Sequence, residues 1–310
     1  MRRVLVTGAS GFIGRRTVPL LVDAGFEVHA IAREPRRSEE GVEWHPVDLL
    51  SPSGPAGLVR EVEASHLLHF AWCAEPGSYW SSPDNVRWLE ASLRLFREFA
   101  SRGGRALVAG TCAEYDWSYG FCSERATPLR PNSLYGSAKH ALHLVLEQVA
   151  RTSALSLAWA RIFFLYGPGE HPRRFPASVI QSLLHGEPAA CTSGTQIRDY
   201  LHVDDVAAAF VRILESDVQG PLNIASGEPL PVRELLLTIA DVIGTRDLLR
   251  LGAATMRPDE PLVLLADTER LVREVGWARR FSLHDGVADA VAWWRRNMDL
   301  ASASVPRTAT

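Results

Sequence analysis

The sequence predicts an α/β protein: a doubly wound parallel sheet with a smaller C-terminal α/β lobe. Three observations carry this. Over the first half, short apolar runs alternate with longer segments of helical period, the pattern of βαβ units whose sheet is covered on both faces. A glycine-rich turn separates the first run from the first helical segment. After Ile162 the alternation breaks into a Gly/Pro-rich loop, where a second unit begins.

Taken in order, the buried strands are expected at Val4–Val6, Val28–Ile31, Leu67–Phe70, Ala106–Val108 and Leu157–Ile162. Each is a short apolar run of the kind a sheet buried on both faces requires. Helices are expected near 12–24, 53–63, 84–102 and 133–152. Beyond the loop Tyr166-Gly-Pro-Gly169 come helices near 175–186 and from Asp204 to Glu215, then a strand at Leu222–Ala225. The segments 232–244, 267–275 and 283–297 also read as helical and lie past the main alternation. The sheet domain is therefore expected to span 1–163 plus 203–226, and the lobe 164–202 plus 227–300. The tail Ala301–Thr310 has low hydrophobicity and is expected to be disordered.

Composition narrows the function classes. A chain of 310 residues with 46% hydrophobic and 22% charged residues describes an ordinary globular protein. Its net charge of -3, with no long basic run, argues against nucleic acid as a partner. No apolar stretch approaches the ~20 residues that span a bilayer, so no membrane association is expected. The N-terminus reads as a first strand, not as a signal peptide. Cys73, Cys112, Cys122 and Cys191 lack any CxxC spacing and read as reduced thiols in a cytoplasmic protein. The ten histidines form no metal-ligand spacing, so no metal is expected.

The glycine-rich turn is Thr7-Gly8-Ala-Ser10-Gly11-Phe12-Ile13-Gly14, a GxxGxxG variant of the dinucleotide fingerprint. A tight turn, close backbone approach to a pyrophosphate and a helix N-terminus facing the anion all need such a segment. Where an NAD site usually carries an acidic residue at the tip of the second strand, this strand ends Ala30-Ile31-Ala32-Arg33, with Glu34 next. Arg33, with Arg36 or Arg37, can pair with a 2′-phosphate through its forked guanidinium. The plainer reading is a solvated loop arginine. On this reading NADP(H) is favoured over NAD(H).

Lys139 is the only lysine among 33 basic residues, and it lies four residues after Tyr135 in Tyr135-Gly-Ser-Ala-Lys139. That spacing puts both side chains on one helix face. There an ammonium can lower the phenol's pKa towards a range useful for proton transfer.

With the glycine loop, Thr111, Tyr135 and Lys139 in view, the chain resembles the extended short-chain dehydrogenase/reductase family. More narrowly, it is similar to the NAD-dependent epimerase/dehydratase branch that acts on nucleotide sugars. Further motifs are Asp48-Leu49, His69-Phe70-Ala71, Gly110-Thr111-Cys-Ala-Glu-Tyr115, Arg161…Tyr166-Gly-Pro-Gly169, Arg198-Asp-Tyr-Leu-His-Val-Asp-Asp205 and Arg257-Pro-Asp-Glu-Pro261. The resemblance covers residues 2–297 and implies a Rossmann domain with a sugar-nucleotide lobe. It implies a catalytic set of Thr111, Tyr135 and Lys139. Thr111 would orient and polarise a ketone, and Tyr135 would protonate it. Lys139 would tune the phenol and hold the nicotinamide ribose. Gly8, Ser10, Gly11, Phe12, Ile13, Gly14, Arg33, Asp48, Leu49, Phe70, Ala71, Tyr135, Lys139 and Arg161 are then expected at the cofactor. Thr111, Cys112, Arg198 and Arg257 are expected at the substrate, the two arginines on its diphosphate. Trp72, Trp80 and Trp88 either line the substrate mouth or pack in the core. Family members often form homodimers through the two long helices near 84–102 and 133–152.

Departures from the family pattern bear on the reaction. Dehydratases follow the catalytic Thr with Asp and Glu, whereas Thr111 is followed by Cys112 and Ala113, which argues against dehydration. Cys112 and His171 stand only roughly where GDP-fucose-synthase-like enzymes carry an epimerising pair. Phe164 replaces a frequent asparagine, which puts one contact to sugar or phosphate in doubt. The stretch from Tyr166 to Asp205 looks most like nucleotide-linked 4-keto-deoxysugar reductases, such as those making abequose. The expected activity is NADPH-dependent reduction of the C4 ketone of a nucleotide-linked 4-keto-6-deoxyhexose. The alternatives are a nucleotide-sugar 4-epimerase with tightly held NAD, and a non-catalytic NADP-binding sensor.

Overall fold

A seven-stranded parallel sheet forms the centre of the computed structural model, which describes residues 2–52, 54–256 and 260–302, with side chains through Asn297. The first half supplies β1 (Arg2–Thr7), α1 (Gly14–Asp23), β2 (Phe26–Ala32), β3 (Val42–Pro46), α2 (Ala56–Val62), β4 (His66–His69), α3 (Asp84–Ala100) and β5 (Gly104–Thr111). The short β6 (Phe121–Cys122) precedes α4 (Leu134–Thr152), β7 (Leu155–Ile162) and β8 (Phe164–Tyr166). Next come α5 (Phe175–Leu184), β9 (Ala189–Cys191), β10 (Ile197–Arg198), β11 (Tyr200–His202), α6 (Val203–Glu215) and β12 (Gly220–Ile224). The C-terminal part holds β13 (Leu230–Pro231), α7 (Val232–Ile243), β14 (Leu249–Leu251), β15 (Val263–Ala266) and α8 (Leu283–Ser302).

The sheet runs β12-β7-β5-β4-β1-β2-β3. From β1 the chain builds outward through β2 and β3, then returns to add β4, β5, β7 and β12 on the other side. The direction reverses between β1 and β4, and open sheets of this kind bind ligands at the carboxyl ends of the strands beside such a reversal.

Strand alternation explains the two cores. Val4 and Val6 face α1 and α6, packing with Val28, Leu107, Phe210 and Ile213. Leu5 faces the other way, with Leu67, Phe96, Phe99, Val108, Leu142 and Trp159 under α3 and α4. Each such side chain contributes about 1.5–3 kcal/mol on burial. A third cluster, including Ile180, Leu183, Leu236, Ile239, Val291 and Trp294, joins α5, α7 and α8.

The predicted sheet and its main helices are present, with shifted ends. β3 was not anticipated. Its residues Val-Glu-Trp-His-Pro bury only Val42 fully, so an edge strand left no apolar run to read. The helix expected at 267–275 is a single wide turn, Arg270–Glu274. Helix α8 continues through Ser302, two residues into the expected tail, and 303–310 lie outside the described residues. Among the described residues no helix is long and apolar enough to cross a membrane. All four cysteines are free thiols.

Candidate active site

The turn after β1 begins at Gly8, whose φ of +67° a side chain rarely adopts. A Cβ on Gly8 would meet the backbone nitrogen of Ala71 at 2.7 Å, and one on Gly14 the carbonyl of Gly8 at 2.2 Å. These two glycines let β1, β4 and α1 close on one another. Gly11 differs: it is exposed, and a Cβ there would have only the Gly8 carbonyl near it, at 3.1 Å. Its bare backbone leaves room on the outer side of the turn. Ile13, the N-cap of α1, offers no side-chain acceptor, so no capping side chain competes with an anion for the positive end of the helix. This cradle fits a dinucleotide pyrophosphate.

Thr7 supports the turn from below. Its hydroxyl lies 2.7 Å from Nδ1 of His69 and accepts from Ala71 N–H at 3.3 Å. Nε2 of His69 lies 3.0 Å from the Ser92 hydroxyl. Burial, with Lys139 nearby, pushes the His69 pKa down to about 3, so the ring is neutral. Phe70 stacks edge-on against Phe210 at 4.7 Å.

Thr111 ends β5 and caps the short turn that follows, its hydroxyl accepting from Ala113 N–H at 3.2 Å. Ser133 caps α4 by accepting from Gly136 N–H, which places Tyr135 in the helix's first turn. A Cβ on Gly136 would meet the Ala113 carbonyl at 2.4 Å, so its absence lets α4 approach the Thr111 turn. The structure thereby brings the side chains of Thr111 and Tyr135 together at the end of β5. Tyr135 is half-buried between Tyr79, at 5.0 Å, and Trp80, at 5.8 Å, both edge-on. Burial first, then Tyr79, pushes its pKa above the ordinary phenol range, while the neighbouring Thr111 side chain pulls it down.

Lys139 sits one turn further along α4, buried, and its Nζ donates to the Ala109 carbonyl at 2.8 Å. The ammonium lies 4.0 Å over the ring of Trp72. Burial lowers its pKa to about 7, with Glu114 pulling the other way. Lys139 is expected to make the phenol acidic; in this structure burial of Tyr135 is the larger influence and keeps the phenol protonated.

Beneath this set lies an ionic cluster with no counterpart in the sequence reading. Glu114 is fully buried and accepts from Thr111 N–H at 2.8 Å, Trp159 Nε1–H at 2.9 Å and Arg161 Nε–H at 3.0 Å. Arg161 also donates to the Tyr115 hydroxyl at 3.1 Å and meets His143 at 3.2 Å. Arg161, expected at the cofactor, is therefore enclosed with its guanidinium committed to Glu114, Tyr115 and His143. Spacing could not reveal this, because the three partners come from two other elements.

The remaining expected residues scatter. Arg33 is exposed at the end of β2 and bonds to no described residue, whereas Arg36 stacks on Trp44 at 5.1 Å. Asp48 is exposed beyond β3 and accepts from Leu50 N–H; Leu49 is buried. Ser10 is exposed, and Phe12 and Ile13 are half-buried. Cys112 is buried, and burial raises its thiol pKa, so it does not ionise; His171 pairs instead with Glu75 at 3.8 Å. Arg198 is buried against Glu260 at 2.8 Å, its guanidinium 5.6 Å over Phe164. The phenylalanine that replaces the family's asparagine thus cradles this arginine. Arg257 lies outside the described residues.

Sequence reasoning missed the segment from Ala71 to Pro83, which roofs Tyr135. Asn85 pins it from α3, donating to the carbonyls of Tyr79 and Ser82 and accepting from Trp72 Nε1–H at 2.8 Å. From the lobe, Arg174 donates to the Ala74 carbonyl, and Arg173 pairs with Glu75. Of the three tryptophans, Trp72 lies under Lys139 with Trp88 stacked behind it, and Trp80 touches both Tyr135 and Trp117. Trp117 also lines a groove of about 770 Å³ with Tyr119, Phe121, Arg130 and Val263. The arrangement offers a proton donor and a hydroxyl aligner at the sheet's carboxyl edge, beside a phosphate cradle.

Comparison with known proteins agrees with this fold. The family model described as "NAD dependent epimerase/dehydratase family" matches residues 4–225. A UDP-glucose 4-epimerase of Corynebacterium glutamicum is 25% identical over 89% of this chain and 90% of its own length. A CDP-abequose synthase of Salmonella typhimurium is 25% identical over 92% and 96%. Among solved structures, MoeE5 in complex with UDP-glucuronic acid and NAD is 31% identical, with a TM-score of 0.82 over 95% of this chain and 99% of that one.

Proposed function

The chain belongs to the NAD dependent epimerase/dehydratase family, and on that premise we propose that it reduces the C4 ketone of a nucleotide-linked 4-keto-6-deoxyhexose with NADPH. The observation that carries the reading is the convergence of Thr111 with a protonated Tyr135 at the carboxyl edge of the sheet. A phenol held neutral by burial is the form that a reduction consumes. Bound in the glycine cradle, NADPH supplies the hydride to the sugar carbon.

The chain's own residues do the rest. Thr111 donates to the ketone oxygen and fixes its direction. Tyr135 gives that oxygen its proton, a step typically worth ~10²–10⁴ in rate. Lys139, anchored on Ala109, stands one helical turn from Tyr135, where its second role is to hold the nicotinamide ribose. Tyr79 and Trp80 exclude water from the phenol. Gly8, Gly11 and Gly14 hold the pyrophosphate, and Asp48 contacts the adenine. Arg198, with Arg257, grips the substrate diphosphate; Arg198 would exchange Glu260 for phosphate oxygens. Similarity to a CDP-abequose synthase supports reduction.

NADPH over NADH rests on Arg33, exposed and unpaired among the described residues at the tip of β2. MoeE5 is solved with NAD, which supports the opposite preference. A second reading, a 4-epimerase using the same residues out and back, is favoured by similarity to UDP-glucose 4-epimerases. The buried thiol of Cys112 speaks against a cysteine–histidine epimerising pair. The protein acts as a homodimer through α3 and α4, whose solvent side exposes Val86, Leu144 and Val145.

Incubation with NADPH or NADH and a dTDP- or CDP-4-keto-6-deoxy sugar tests the reading. Loss of reduced-cofactor absorbance, mole for mole with ketone consumed, is the expected result. Conversion of sugar without net cofactor oxidation would establish the epimerase instead.

A further inference from the structure

Strands β2 and β3 form the outer edge of the sheet, in a parallel register that pairs His29 with Glu43 and Ile31 with His45. Because alternate residues share a face, Glu27, His29, Glu43 and His45 all project to the same side. Nδ1 of His29 lies 3.0 Å from Nε2 of His45 and 3.5 Å from the Glu43 carboxylate. All three donor atoms fall within 4.8 Å of one another. His29 is buried, and its other nitrogen, Nε2, bonds to the Glu27 carboxylate at 3.2 Å. Arg3 on β1 holds Glu27 from behind at 3.2 Å. None of these residues belongs to the Tyr135 site.

We propose that His29, His45 and Glu43 bind a borderline divalent cation of the Zn²⁺ class, with Glu27 as the carboxylate that orients His29. The chemistry follows from the tautomer. With Glu27 accepting the Nε2–H, Nδ1 of His29 carries a bare lone pair aimed at a carboxylate and a second imidazole. Two imidazole nitrogens and a carboxylate converge there, and a cation held by all three takes the place of a proton shared between the rings. Ligand distances of about 2.0–2.1 Å in tetrahedral geometry set neighbouring donors roughly 3.3 Å apart; the observed 3.0 and 3.5 Å straddle that value. Two imidazoles and one carboxylate suit Zn²⁺ better than Mg²⁺ or Ca²⁺, which want oxygen. The fourth position is left for water. Bound there, the ion ties β3 to β2, just before Arg33 and Asp48.

The test uses the full chain without a histidine tag, stripped by chelator and titrated with Co²⁺ as a coloured stand-in for Zn²⁺. One equivalent should bind, with the intense visible absorption of a four-coordinate site and a rise in Tm. His45→Gln or Glu43→Gln, at partly exposed edge positions and checked for folding by circular dichroism, should abolish that absorption. Glu27→Gln should weaken binding by roughly 10–100-fold. His140→Gln, from a separate His/Glu group, should leave binding unchanged. Failure of the wild type to bind an equivalent, or binding that survives both His45→Gln and Glu43→Gln, would overturn the proposal and leave a plain imidazole–imidazole hydrogen bond.

Discussion

Arg33 shows how one side chain can set cofactor choice. It follows β2, whose last three residues, Ala30-Ile31-Ala32, carry no carboxylate, and no described residue competes for its guanidinium. Arg33→Asp should weaken NADPH by about 10–100-fold, the worth of a charge-assisted hydrogen bond, and leave NADH nearly unchanged. Titration of both cofactors by fluorescence checks this; equal losses would show that Arg33 does not read the 2′-phosphate. At this scale the structure places several of the expected residues near one another. Gly8, Gly11 and Gly14 meet the turn's steric demands, and Thr111 and Tyr135 converge as their motifs implied. Burial sets others apart. Arg161 looked like a ligand residue, but Glu114 lies beside it across the β5–β7 junction. Removing one partner of such a buried pair typically costs about 3–5 kcal/mol, so its role is to hold the Thr111 turn in place.

Among the elements, α5 illustrates a dependence on pH. Its N-cap, Arg174, offers no side-chain acceptor, and the buried carboxyl of Glu170 lies near its first turn, where Arg174 and the Ala177 backbone favour its charged form. Burial pushes the Glu170 pKa from 4.5 up to about 8, with Arg174 pulling it down. The folded chain therefore holds a proton that the unfolded chain releases between those values. Stability from this group is full below 4.5 and is lost as pH rises towards 8. Glu170→Gln mimics the protonated form, so its Tm should gain on the wild type by a few degrees between about pH 5 and pH 8. A difference that stays flat across that range would remove the claim. Elements were legible where apolar runs were long: α3, α4 and the inner strands stand near their expected positions. β3 and the Ala71–Pro83 segment were not, because an edge strand buries little and a loop over Tyr135 is held by single hydrogen bonds from Asn85.

For the whole molecule, the sheet reversal between β1 and β4 and the lobe built on α5, α7 and α8 leave α3 and α4 as an outer layer. Val86 on α3 and Leu144 and Val145 on α4 are exposed there, apolar residues on which the proposed homodimer is expected to close. Light scattering should give twice the chain mass for the wild type and a single chain mass for Leu144→Glu with Val145→Glu. A wild type already monomeric would dismiss the dimer without touching the chemistry. That chemistry is tested most directly by NADPH carrying deuterium at the transferable C4 position, given with a nucleotide-linked 4-keto-6-deoxy sugar. The product should carry deuterium at sugar C4, and Tyr135→Phe should form it about 10²–10⁴ times more slowly with cofactor affinity nearly intact. A product without cofactor deuterium, or a Tyr135→Phe enzyme that turns over as fast as the wild type, would contradict the account.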